Sequence, residues 1–352
     1  MLFDLPDDDV LYAALIARDP AYDGFAFVGV KSTGIFCRLT CPARKPKREN
    51  SVFYSSMVSA MEAGYRPCRR CRPLMQGGEK DPLVLKLLTA LEAEPDRKWS
   101  EEDVQAMRVD PSTVRRAFKR QFGITFLEMA RLRRMGKGVD ALTGGNTVIE
   151  AQLDASYESG SGFRAAISRQ IGLNPSQARK HLFLKADWLD TPIGSMLAVA
   201  SRDALYLLEF IDRPALPNEI ERLKQLTSSE IIFGRTAPVD QVERELAAYF
   251  MGNSPVFTTP LAEFGSVFTR KVWDALRAIP LGELRSYSSL AADIGQASAS
   301  RAVARANGTN QISILIPCHR VIGADGSLTG YGGGLWRKRW LIEHERRMAL
   351  SQ

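Results

Sequence analysis

Five cysteines hold the most reactive side chains of this 352-residue chain, and their spacing divides them into two groups. Cys37, Cys41, Cys68 and Cys71 form a C-x3-C pair and a C-x2-C pair separated by 26 residues, while Cys318 stands alone. An odd count, behind an acidic N-terminus without the basic and apolar regions of a signal peptide, argues against a disulfide framework. Two short knuckles instead let four thiolates converge on one tetrahedral zinc ion. A basic segment of about 40 residues has little core of its own, so a bound metal would supply missing stability. Zinc also keeps its thiols deprotonated near neutral pH, so a ligand there is a candidate nucleophile as well as a structural clamp. Spacing alone leaves both readings open.

Cys318 sits in the run Pro317-Cys318-His319-Arg320-Val321. A lone cysteine is by default a small buried hydrophobe. Here a titratable base follows directly, in a chain with three histidines. Asn310, eight residues upstream, offers an amide donor, and Glu345 on a C-terminal helix offers a carboxylate to orient His319. Composition leaves two reactions open: transfer of a group onto the sulfur, or multiple-turnover hydrolysis through it. The other histidines read as structural. His181 is expected to cap a helix C-terminus and His344 to pack, with Trp336 and Trp340 as core anchors of their helix.

The charge distribution narrows the partner. Residues 31–72 carry ten Lys/Arg against two acids, residues 97–185 sixteen against nine, and residues 186–352 eighteen against eighteen. Two basic blocks before a neutral half favour a polyanion, most often nucleic acid. No apolar run approaches the roughly 18 residues of a membrane span. A soluble cytoplasmic protein with no membrane partner is expected.

The elements that must position these residues are legible as patterns. Residues 81–94 read as a linker helix. Ser100 with Asp103 three positions on opens a short helix ending near Met107. Asp110-Pro111 opens a second, from Ser112 to Phe122, carrying Arg115, Arg116, Lys119 and Arg120 and stopped by Gly123. Two short helices, the second Arg-rich, predict a helix-turn-helix whose second helix enters a major groove. A related unit follows, with Val148, Ile149 and Leu153 on its first helix and Gly160-Ser-Gly162 opening its second; FKRQFGIT echoes in ISRQIGLN. Beyond Ala186 the pattern predicts a hairpin of 195–200 and 204–210, helices at 239–250 and 265–278, and another helix-turn-helix over 286–308. An apolar strand, Ile312 to Ile316, is expected to deliver Cys318, and a helix runs Leu335–Arg347.

With these residues in hand, three resemblances stand out. Residues 30–73, with TGIFCR and the knuckle motif RPCRRCRP, resemble the N-terminal domain of the Ada family of DNA alkylation-repair regulators. The resemblance implies that Cys37 accepts a methyl group from a DNA methylphosphotriester. Cys41, Cys68 and Cys71 would join it in a four-cysteine site for one zinc ion, with Arg44 and Arg66 near the phosphate. Residues 81–182 look like the paired helix-turn-helix domain of AraC-type regulators. Three departures stand there: Asp103 where the family is apolar, Phe126 for a proline, and Ser156 for a glycine. Residues 264–345, with SRAVARANGTN and ILIPCHRVIGADGSLTGYGGG, resemble the methylated-DNA–protein cysteine methyltransferases. By that likeness Cys318 takes the alkyl group of O6-methylguanine, and His319 and Glu345 form a water-linked relay with Asn310 holding the site. Arg301 would be the wedge that replaces a flipped nucleotide, Tyr287 would press the backbone phosphate, and Tyr331 would line the base pocket.

The resemblances together imply a multidomain α+β protein. Residues 1–75 would be a small zinc-bound α/β domain and 81–182 an all-α AraC-type double helix-turn-helix domain. The methyltransferase would pair a ribonuclease-H-like α/β subdomain (186–262) with a helical, winged-helix-like subdomain (263–352). The reaction would be single-turnover methyl transfer, because a thioether is a poor leaving group. Methylation of Cys37 would switch DNA binding and transcription of an alkylation response. Double-stranded DNA, alkylated and promoter, is the implied partner of a monomeric protein, with RNA polymerase a further partner.

Overall fold

The computed structural model describes residues 5–350 apart from 20, 21, 25, 72, 74–81, 254, 255 and 263. Its elements gather into two compact units, one of residues 1–79 with 264–352 and one of residues 80–263. Among the described residues no helix is long and apolar enough to cross a membrane.

The first unit begins with α1 (Asp8–Ala17), capped by the Asp7 carboxylate. A four-stranded sheet follows, β1 (Phe27–Val30), β2 (Ile35–Arg38), β3 (Ser51–Tyr54) and β4 (Arg66–Pro67), with α2 (Met57–Glu62) before the last strand. Strand order is β3-β1-β2-β4. Alternation along β1 and β2 sends Phe27 and Phe36 to one side, where their rings meet edge to face at 6.1 Å. Val28 and Cys37, paired across the strands, join Leu11, Leu15 and Leu39 in a separate core on the other side. None of these strands was foreseen from the sequence, because each is four residues or fewer.

In the second unit, α3 runs Pro82–Ala93; residue 81, where this helix was expected to start, lies outside the described residues. Helices α4 (Glu101–Ala106) and α5 (Pro111–Phe122) form the first helix-turn-helix. The long α6 (Phe126–Thr143) leads to α7 (Val148–Asp154) and α8 (Gly160–Ile171) of the second, and α9 (Pro175–Ala178) ends it. The departures from the AraC-type pattern have local reasons. Asp103 closes a capping box with Ser100 and also binds Arg97 at 2.6 Å, so it works at a helix start instead of in the core. Phe126 is 1% exposed and packs edge to face on Trp99 and Phe118. Gly160 and Gly162 fall in the first turn of α8, where Ser159 caps the Gly162 N–H at 3.1 Å. Ile149 and Leu153 are largely exposed, so the core-facing side of α7 is not the one its most apolar residues suggest.

The α/β part of this unit contains β5 (Phe183–Leu189), β6 (Met196–Ala200), β7 (Leu205–Phe210), α10 (Leu216–Thr227), β8 (Glu230–Phe233) and α11 (Ala237–Phe250). Its sheet order is β7-β6-β5-β8, with only β5 and β8 parallel. The β6–β7 hairpin lies where the alternation placed it; β5, α10 and β8 were not foreseen. The His181 backbone N–H donates to the Ala178 carbonyl at the end of α9, while its imidazole Nε2, instead of capping, accepts from the Glu230 N–H at 3.3 Å and so ties the entry of β5 to β8.

The first unit resumes with α12 (Val267–Arg277), β9 (Arg285–Ser286), α13 (Tyr287–Asp293), α14 (Ser300–Gly308), β10 (Val321–Ile322) and α15 (Leu335–Leu350). The Trp273 indole donates to the Ala306 carbonyl at 3.0 Å and locks α14 to α12. The core face of α15 is carried by Leu341, Ile342 and Met348. Trp336 lies only half-buried against the Arg337 guanidinium, and Trp340 stacks on His344.

Candidate functional site

Cys37 lies in the middle of β2, held in register by Val28 on β1. Cys41 follows in the turn after β2, where its N–H donates to the Arg38 carbonyl. β4 pairs parallel with β2, and the Cys68 N–H donates to the Phe36 carbonyl at 3.0 Å, which carries the second knuckle to the first. The four sulfur atoms lie within 4.8 Å of one another, three of the residues buried and Cys71 partly so. The Arg38 N–H donates to the Cys71 sulfur at 3.4 Å, a bond that favours a thiolate. Hydrogen bonds with Cys41 and then Cys71 push the Cys37 thiol far up, whereas hydrogen bonds from Cys37 and Cys71 pull Cys41 down to about 2. A soft four-sulfur set of this size fits one zinc ion. Near the two knuckles stand Arg44 and Arg66, and on α5 stand the exposed Arg115, Arg116 and the neighbouring Lys119; the side chain of Arg120 lies outside the described residues. Arg115 is paired with Glu101 at 2.6 Å.

The second site is built by a tight turn, not by a strand. Residues 312–316 were expected to be extended, but Ile314 has φ 74° and the Ile316 N–H returns to the Ile312 carbonyl. The cause is Asn310, 1% exposed. Its Oδ1 accepts from the Ile312 N–H at 3.0 Å while its Nδ2 donates to the Ile316 carbonyl at 2.9 Å. The same amide donates to the Cys318 sulfur at 3.2 Å. Cys318 thus opens the short helical turn Cys318–Arg320 with its Sγ anchored, and it is 6% exposed.

His319 is fully buried, and its Nε2 meets Glu345 Oε1 at 2.9 Å. Its Nδ1 has no hydrogen-bond partner among the described residues. Burial pushes the imidazole pKa down, against the pull of Glu345, and so favours the neutral ring. Burial alone would raise the Glu345 carboxyl, but His319 and Arg320 hold it well below the usual carboxylate range. Arg320 was missed as a site residue. Its Nε and Nη2 grip both oxygens of Glu345 at 2.8 and 2.9 Å, and its Nη1 donates to the Ile279 carbonyl. The Pro-Cys-His-Arg run gives its place beside His319 but not its carboxylate partner. Lys338, 0% exposed, was missed too; its Nζ bonds the carbonyls of Val321 and Thr329 at 2.5 Å each and straps the loop that follows Cys318. Burial pushes its ammonium pKa down to about 8, partly opposed by Cys318.

The flanking residues surround this turn. β10 pairs parallel with β9, Ile322 beside Ser286, which sets Tyr287 at the start of α13 close to the site. Burial raises the Tyr287 hydroxyl pKa, against a hydrogen bond to Thr329, with Cys318 adding to the rise. The Tyr331 ring stands edge-on to His319 at 6.5 Å. Arg301, second residue of α14, is exposed. The structure therefore brings Cys318, His319, Glu345, Asn310, Tyr287 and Tyr331 together and leaves Arg301 on an open helix surface.

The comparisons with known proteins follow the same division. Residues 10–73 match the metal binding domain of Ada, residues 104–181 a helix-turn-helix domain, and residues 267–347 the DNA binding domain of 6-O-methylguanine DNA methyltransferase. The bifunctional transcriptional activator/DNA repair enzyme Ada of Escherichia coli is 34% identical over 349 residues, covering 96% of each chain. The regulatory protein ada of Salmonella typhimurium is 31% identical over 344 residues, again 96% of each. A methylated-DNA–protein-cysteine methyltransferase of the same species is 41% identical over 172 residues, 48% of this chain and 99% of the relative. Among solved structures, the O6-methylguanine methyltransferase of Mycobacterium tuberculosis aligns with 39% identity and a TM-score of 0.41, over 47% of this chain and 94% of that one. With a relative 34% identical over 96% of both chains, this chain belongs to the Ada family.

Proposed function

We propose that this chain repairs alkylated DNA at two cysteines and reports the damage through its helix-turn-helix units. Cys318 takes the methyl group of O6-methylguanine. The observation that carries this is the set of bonds around one sulfur: Asn310 donates to Sγ, and the neighbouring His319 is buried against an anionic Glu345. His319, through a water at Nδ1, accepts the thiol proton, and Glu345, held in place by Arg320, stabilises the resulting imidazolium. The S–CH3 bond forms as the C–O6 bond breaks, and the base leaves as guanine after taking up one proton. The sulfur ends as a neutral thioether, which nothing in the site can displace, so each chain acts once. A methyl on a stacked guanine cannot reach a sulfur 6% exposed, so the base must leave the stack. Arg301 fills the gap, Tyr287 presses the backbone and Tyr331 lines the pocket.

Cys37 takes a methyl group from a backbone methylphosphotriester. One zinc ion held by Cys37, Cys41, Cys68 and Cys71 keeps these thiols deprotonated and nucleophilic near neutral pH. Arg44 and Arg66 supply cations to the phosphate, and Arg115, Arg116 and Lys119 bind promoter DNA. The protein acts as a monomer in the cytoplasm, with RNA polymerase as the partner of its regulatory role.

The test is peptide mapping by mass after incubation with methylated duplex DNA. One methyl group is expected on Cys318 and one on Cys37. Cys318→Ala should abolish loss of O6-methylguanine while phosphotriester repair continues. Repeated turnover with Cys318 unmodified would favour hydrolysis, and transfer that survives the substitution would remove Cys318 as the acceptor.

A further inference from the structure

The connection between the second helix-turn-helix and the α/β part is four residues long, from the end of α9 at Ala178 to the start of β5 at Phe183. It is tied down by the His181 imidazole, which accepts from Glu230 of β8. Around it the two parts share their cores. Ile232 of β8 is 5% exposed inside the apolar cluster of the second helix-turn-helix, among Met135, Val139, Phe163 and Ile167. On the other flank, Trp188 of β5 stacks on Phe233 at 4.3 Å and meets Phe122, the last residue of α5, edge to face at 5.9 Å.

Between these flanks α6 touches the sheet backbone to backbone. A Cβ placed on Gly136 would lie 1.8 Å from the carbonyl oxygen of Phe233, so only glycine fits. Polar groups hold the same contact. Asp187 of β5, 6% exposed, lies between Arg133 of α6 at 3.5 Å and Arg235 at 3.0 Å. Lys185 pairs with Asp140 of α6 at 2.8 Å. Gln121 of α5 donates to the Ser195 hydroxyl at 3.3 Å.

We propose that the β5–β8 face of the first transferase subdomain is the docking surface of the double helix-turn-helix, so that the DNA-reading helices and this subdomain open and close as one body. Neither half-core is complete alone: β8 supplies Ile232 to one unit, and β5 supplies Trp188 to the other. α6 joins the two helix-turn-helix units, so the sheet edge that fixes α6 fixes their spacing as well. A subdomain whose expected role is repair thereby becomes part of the frame that reads DNA. This inference does not depend on either methyl acceptor.

Hydrogen exchange followed by mass spectrometry on the full-length, zinc-loaded chain tests it through a difference in sign. In a helix free of the sheet, Gly136→Ala raises helix propensity and should slow exchange in α6 about fivefold. In the docked arrangement the new methyl group collides with Phe233. Exchange should then speed at least ~10-fold in both α6 and β8, with residues 310–322 unchanged. Asp187→Asn, which keeps the side-chain shape, should speed the same two segments by a smaller factor. It carries the test if Gly136→Ala does not fold. Slower exchange in α6, or acceleration by Asp187→Asn confined to one segment or absent from both, would overturn the proposal.

Discussion

The groups around Cys318 divide two tasks between them, and each predicts a different response. Asn310 fixes where the sulfur is, whereas in the proposed reaction His319 and Glu345 govern its proton. Burial lowers the imidazole pKa, so the ring stays neutral, and able to accept that proton, below its usual value near 6.5. The transfer rate should therefore run flat through pH 6.5 and fall only under more acid conditions. A single-turnover pH profile with its midpoint at or above 6.5 would show a solvated ring instead. Stability follows the same direction. The unfolded His319 takes a proton first as pH drops, and the depressed Glu345 loses its contribution as pH falls through its folded value. Both make the fold acid-sensitive. Glu345→Gln strips the buried Arg320 of its anion and His319 of its orienting partner. We expect a loss of about 3–5 kcal/mol in stability by denaturant titration and a transfer rate at least ~100-fold lower. The Pro-Cys-His-Arg run made this chemistry legible in the sequence. Arg320 and Lys338 were not legible as site residues, because a cation's role depends on which carbonyls and carboxylates the fold places around it.

At the scale of the element, patterns that run along one segment were readable and those that need a distant partner were not. Asp110, Ser100 and Gly123 marked helix ends correctly because caps act within a turn. The strand expected over 312–316 failed because one side chain, Asn310, closes that segment into a turn. β5 and β8 escaped notice because each is buried on a partner the sequence places dozens of residues away. Two element-scale predictions follow from backbone geometry and exposure. Ser156 adopts φ 56°, and Arg134 donates to its carbonyl across the turn between α7 and α8. Glycine has no Cβ penalty there, so Ser156→Gly should raise thermal stability by about 1 kcal/mol; a loss would mean that the hydroxyl matters more than the strain. Arg301 stands exposed on α14, a helix packed on α12 and α13 and so rigid enough to act as a wedge. Arg301→Ala should slow repair of duplex DNA far more than reaction with free O6-methylguanine, since only the duplex must be unstacked. Equal slowing on both substrates would place Arg301 in the chemistry or the fold.

Across the whole molecule, charge is the property that links repair to regulation. The basic blocks of residues 31–72 and 97–185 precede a neutral half. Weak DNA affinity at the neutral transferase suffices when basic modules are tethered to it, since the tether raises its effective concentration on the duplex. The zinc site is the exception within its basic block. Four thiolates exceed the two charges of the ion by two, and they sit where Arg44 and Arg66 would meet a phosphate. Methylating Cys37 turns one thiolate into a neutral thioether and removes one unit of repulsion. At about 6 Å, with an effective dielectric near 20, that unit is worth roughly 2–3 kcal/mol before screening. It corresponds to at most about a hundredfold in affinity. The methylated protein should therefore bind duplex DNA more tightly than the unmethylated protein. The gain should shrink as salt rises, because exposed charges more than about 10 Å apart are screened at about 0.1 M and nearer ones as the salt increases further. Titrating the same chain in both states across a salt series measures this directly. Equal binding at low salt would leave Cys37 a repair acceptor without an electrostatic switch, and the regulatory signal would then have to travel through a change of shape.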